Sequence, residues 1–116
     1  LKTIDNIIAE RIISGEFKIV NSFIMLGNRN YEIEFDGIDC QVILGKIRAQ
    51  VFVSIRKTTK EKIKELYEAG KNAEPMKENI FESWYLHSFR ESGMCQLKLS
   101  EEQLAKISKA ISTKGE

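Results

Sequence analysis

Tyr31-Glu32-Ile33-Glu34-Phe35-Asp36-Gly37-Ile38 is the stretch whose reading decides the fold. Tyr31, Ile33 and Phe35 alternate with Glu32, Glu34 and Asp36, and a period of two gives a β-strand one dry and one wet face. Asp36-Gly37 is a dipeptide that accepts positive φ, so the chain is expected to turn back there in a tight hairpin. Beyond it, Ile38 to Leu44 and Ile47 to Ile55 are runs rich in β-branched residues, with a break or bend expected at Gly45. In the later run Ile47, Ala49, Val51, Val53 and Ile55 share one face, and Arg48, Gln50, Phe52, Ser54 and Arg56 the other. Before the quoted stretch, Lys18-Ile19-Val20 and Phe23 to Leu26 read as strand leading into a turn-rich cluster, Gly27-Asn28-Arg29-Asn30. Residues 17–56 are therefore strand-like throughout.

Helical spacing takes over on both sides. Ile4, Ile7, Ile8 and Ile12 form a stripe behind Thr3, a capping residue, and Gly15 is placed to end that helix. Thr58 and Glu61 have capping-box spacing ahead of Ile63, Leu66 and Tyr67, and Gly70 is the natural stop. Residues 71–79 hold the only proline, Pro75, and read as a loop. Ser100 and Gln103 repeat the capping-box spacing ahead of Leu104, Ile107 and Ile111. Residues 80–99 read as a second hairpin turning at Ser92-Gly93. It would set Trp84, Leu86, Cys95, Leu97 and Leu99 on one face and Tyr85, His87, Phe89 and Met94 on the other. The expected order is α-β-β-β-α-β-β-α. It describes one α+β domain over residues 1–116: a mainly antiparallel sheet of five to six strands from two hairpin-rich segments, packed with three short amphipathic helices.

Composition narrows the function classes. Eighteen Lys+Arg against 17 Asp+Glu leave no net pull toward nucleic acid, membrane or acidic ligands, so any electrostatic role depends on how charge is distributed. Cys40 and Cys95 have no metal-site spacing and read as two reduced thiols. With no apolar run of roughly 20 residues and no signal-peptide pattern over Asp5, Glu10 and Arg11, the expectation is a cytoplasmic protein away from membranes. The usage of Lys, Glu and Ile fits a prokaryotic or phage origin.

Chemistry-bearing constellations are sparse. Glycines 27, 37, 45, 70 and 93 form no phosphate-binding motif. His87 is the only histidine, and in the expected hairpin Cys95 faces away from it, which argues against a nucleophile–base pair. Glu32, Glu34 and Asp36 line an open strand face, with Asp39 nearby, and read as salt-bridge partners of basic residues such as Lys46 or Arg48 rather than as a catalytic or metal site. No catalytic residue, metal ligand or cofactor is expected.

Two binding readings remain. Phe81, Trp84, Tyr85, His87, Phe89 and Met94 crowd the second hairpin, and aromatic residues and Met are enriched at interface centres. A surface of Phe52, Tyr85, His87, Phe89 and Met94 would bind another protein or a second copy, the behaviour of a non-catalytic module or an inhibitor of immunity, antitoxin or adaptor type. The alternative is a nucleic-acid surface of Arg48, Phe52, Arg56, Lys57 and Lys60, with the ring stacking a base and the cations holding phosphates. A small hydrolase centred on His87 comes third.

Overall fold

A computed structural model describes residues 3–45, 51–69, 77–90 and 92–115. Its elements in chain order are α1 (Ile4–Ile13), β1 (Lys18–Met25), β2 (Asn28–Phe35), β3 (Ile38–Leu44), β4 (Val51–Arg56), α2 (Lys60–Ala69), α3 (Glu78–Ser88), β5 (Met94–Gln96) and α4 (Glu101–Gly115). The strands form one antiparallel sheet in the order β1-β2-β3-β4-β5. The α+β class and the strand-rich first half are as the sequence implies, with one more helix than expected and four strands rather than three before α2.

The alternation in β2 sets the layering. Ile33 and Phe35 are buried, and their cross-strand neighbours Cys40 and Ile38 are buried with them. Val42, Val51, Val53 and Ile55 extend this inner face. It packs with Ile7, Ile8 and Ile12 of α1, Ile63 and Leu66 of α2, Phe81 and Tyr85 of α3, and Ile107 and Ile111 of α4 in one core. Asp36-Gly37 makes the expected turn, with φ of 51° and 79°. The first hairpin turns at Leu26-Gly27 instead of within Gly27–Asn30, and Asn28, Arg29 and Asn30 are already in β2.

The caps explain several boundaries. Thr3 Oγ1 accepts from Asn6 N at 3.2 Å. In α4 the box is reciprocal: Gln103 N donates to Ser100 Oγ at 3.2 Å, and Ser100 N donates to Gln103 Oε1 at 2.9 Å. In α2 the capping hydroxyl is Thr59, which accepts from Lys62 N, while Thr58 Oγ1 donates to Gly37 O. The expected stop at Gly70 and the loop proline Pro75 lie outside the described residues. α1 and α4 run side by side in the same direction: Gln103 Nε2 donates to Asn6 Oδ1 at 2.9 Å, and the Lys114 ammonium donates to the carbonyls of Gly15 and Phe17.

The second hairpin is the main correction. Residues 78–88 are α-helical, and only Met94–Gln96 forms a strand, added to β4. Phe81, Trp84, Tyr85 and Ser88 recur at i, i+3, i+4 and i+7, so one helical face carries the rings inward. Their intrinsic β preference pulls a sequence reading the other way. The start of α3 is also unmarked, because its N-cap is Lys77, which makes no side-chain cap bond.

Candidate interaction surface

Removing the second hairpin redistributes the expected contact residues. Tyr85 and Phe89 are buried at 6% and 4% exposure, within an aromatic cluster. Their ring centroids are 5.0 Å apart, and Trp84 meets Phe89 edge-on at 6.2 Å. The Tyr85 hydroxyl donates to Thr58 O. These two residues are therefore core, not surface. His87 is exposed on α3, Met94 is half-buried in β5, and Phe52 is exposed at 42% on β4. The structure does not bring the five together.

The basic set is dispersed as well. Arg48 lies outside the described residues. Arg56 pairs with Glu32 at 3.3 Å, and Lys60 pairs with Glu82 while lying 5.6 Å from the Tyr85 ring centroid. The Glu82 hydrogen bond raises the Lys60 pKa above its ordinary value. Lys60 is thus part of the α2–α3 contact, while Phe52 and Lys57 are exposed, Lys57 with no ion pair among the described residues. Lys46 and Arg48, the expected partners of the acidic strand, are outside the described residues. Glu32 takes Arg56 instead, and Asp36 takes Arg11 at 2.6 Å.

What the register does assemble is a row across the outer sheet face. Phe23 pairs with Asn30, Asn30 with Ile43, and Ile43 with Phe52. Residues opposed across strands point to the same side, so these four side chains lie together on the face away from the core. Asn30 is only 3% exposed there. Its amide is satisfied: Nδ2 donates to Asn28 O and Oδ1 accepts from Gln41 Nε2, both at 3.1 Å. A polar group is held dry by its apolar neighbours, at no loss of hydrogen bonding.

The row runs into an apolar tip. Met25 lies on the same face as Phe23 and Ile24 on the other, and Ile24, Met25 and the turn residue Leu26 are exposed at 63%, 56% and 95%. Leu26 sits at φ 52° in the two-residue turn, a left-handed position where Asn, Asp or Gly is favoured and an exposed leucine is disfavoured. The opposite half of the face is polar and charged, with Glu32, Glu34 and Asp39 against Lys18 and Arg56. An apolar centre with a polar margin is the layout of a protein contact surface.

The thiols sit on the inner side. Cys40 and Cys95 flank Ile55 in one cross-strand row, about 10 Å apart by strand spacing, too far for a disulfide, and both are free. Burial, and secondarily the charge of Asp39, holds the Cys40 thiol far above its ordinary pKa. Burial also raises Cys95, opposed by a hydrogen bond with Ser88. Neither is poised as a thiolate nucleophile. Among the described residues, no three His, Cys, Asp or Glu side chains are grouped to hold a metal ion, and no helix is long and apolar enough to cross a membrane. Comparison with protein-family models, curated proteins and solved structures finds no match.

Proposed function

We propose that this domain is a non-catalytic protein-binding module or inhibitor that docks a partner on the open face of its sheet. The observation that carries this is the row Phe23–Asn30–Ile43–Phe52, with exposed Met25 on the same face and exposed Leu26 in the adjoining turn. Exposed apolar residues concentrated on one face, margined by charge, favour association with another protein. The nucleic-acid reading has less support. A phosphate backbone needs unpaired cations, whereas Arg56 and Lys60 are paired and the face carries Glu32, Glu34 and Asp39. Free cysteines suit a reducing, cytoplasmic setting.

The test is capture from a nuclease-treated lysate of the source organism with wild-type protein and with Phe52→Asp. Phe52 is half in water, so the variant is expected to keep the thermal midpoint. A discrete protein held by the wild type and lost by Phe52→Asp supports the reading. Equal capture by both refutes the assignment of the face, and capture abolished by nuclease alone moves the function to nucleic acid.

A further inference from the structure

Strand β1 ends the sheet, so its outer edge presents backbone N–H and C=O groups with no strand beside them among the described residues. Edges of this kind are ordinarily protected by charge, proline, a bulge or brevity. The opposite edge is protected by brevity, since β5 is three residues long. β1 is eight residues long, and from Ile19 to Gly27 the chain has no charged residue and no proline. Its one irregularity, the bulge between Ile19 and Asn21, lies at one end and leaves Asn21 to Met25 in regular register with β2. Val20, Ile24, Met25 and Leu26 stand 56–95% exposed along this edge and its turn. Leucine at 95% exposure and φ 52° is doubly disfavoured in an isolated chain.

We infer that β1 pairs antiparallel with β1 of a second copy about a two-fold axis at Phe23, joining two five-stranded sheets into one. This rests on the reading of the domain as a protein-binding module and names one of its partners. The occupant follows from the strand's own pattern. An axis at Phe23 sets Val20 opposite Leu26, Asn21 opposite Met25 and Ser22 opposite Ile24. The last two pairs are each separated by an even number of residues within the regular strand and so lie on one face, while Val20 at the bulge and Leu26 in the turn meet at the ends of the paired stretch. Of the four exposed apolar side chains, Ile24 and Met25 fall inside the regular stretch and Val20 and Leu26 at its ends. No charge is desolvated, because neither copy brings one. Five regular residues, Asn21 to Met25, extend about 17 Å, and covering them together with Val20 and Leu26 of each copy buries at most the roughly 1,000 Å² at which specific interfaces begin. Among the described residues head-to-tail growth has no matching edge, because β5 offers three residues against eight, so the pairing closes as a dimer. It would also bring the two open faces, Phe23 foremost, side by side.

The experiment is sedimentation of the full chain across micromolar to millimolar concentration. The expected species has twice the 13.3 kDa chain mass. Leu26→Asn should weaken the dimer about tenfold and Ile24→Lys about a hundredfold, as loss of buried apolar contact and burial of a charge imply. Leu26→Asn suits the left-handed turn, so weaker association there cannot be attributed to a damaged fold. Phe23→Cys in a Cys95→Ser background should form a covalent dimer on oxidation, because the two thiols would face each other across the axis. Phe52→Asp, three strands away, should leave the dimer intact while losing the captured partner. A wild-type protein that stays monomeric overturns the dimer, even where it still captures another protein. A dimer indifferent to both Leu26→Asn and Ile24→Lys overturns the assignment to β1.

Discussion

Replacing Phe89 with alanine should be among the most damaging single changes in this protein. Its ring is 4% exposed, lies 5.0 Å from Tyr85 by centroid and receives the edge of Trp84 at 6.2 Å. Truncating a buried phenylalanine to alanine costs about 3–5 kcal/mol, through lost transfer energy and the cavity left behind. At this chain length each kcal/mol lowers the thermal midpoint by about 4 °C, so the loss is roughly 12–20 °C. Tyr85→Phe isolates a smaller term. It keeps the ring and deletes the hydroxyl that donates to Thr58 O, at a cost of about 1 kcal/mol. Urea unfolding of the three proteins measures both, with the midpoint shifting and the slope unchanged for a native-state effect. Stability within about 0.5 kcal/mol of wild type for Phe89→Ala would be surface behaviour. That result would refute α3 and restore an exposed aromatic hairpin.

Three further outcomes follow from the same structure. Cys40 keeps its proton in the folded state, while an unfolded thiol loses it above about pH 8.5. Stability is therefore fully present below that pH and falls as pH rises, by at most about 1.4 kcal/mol per unit from this group; unfolding series at rising pH should show Cys40→Ala losing that share of the slope. Ser100→Ala removes the reciprocal cap of α4 and should cost about 1 kcal/mol, read as a lower urea midpoint. Leu26→Asn should raise stability by about 1 kcal/mol in the monomer, because asparagine tolerates the left-handed turn that leucine resists; a lower thermal midpoint for the variant at high dilution would contradict the turn assignment.

The sheet was legible because its signals are local. Alternation at Tyr31 to Phe35 and the Asp36-Gly37 dipeptide specify one strand pair without reference to the rest of the chain. The reciprocal Ser100–Gln103 cap was legible for the same reason. α3 was not, because Phe81, Trp84 and Tyr85 satisfy either a strand by residue preference or a helix by spacing, and no capping residue at Lys77 resolved the choice. Misreading that element placed Tyr85 and Phe89 on the surface. Of the expected partner-binding residues, Phe52 and Met94 lie on the open sheet face, and Phe52 alone lies in the row with Phe23 and Ile43. Phe23 and Ile43 were in view as strand residues, but their alignment with Phe52 depends on registers among four strands, which composition does not encode. Leu26 is not legible as a turn residue because the turn-forming residue types lie in Gly27 to Asn30. A leucine preceding a glycine carries no turn signal, and its left-handed φ emerges only from the fold.

The most direct test of the open face is site-specific photo-crosslinking. A photoreactive phenylalanine analogue placed at Phe52, and separately at Leu86, which is 63% exposed on α3, would be activated in the source-organism lysate after nuclease treatment. The expected result is a discrete protein adduct from position 52 and none from position 86. Adducts from position 86 alone would contradict the account and place the partner on the helical side of the molecule.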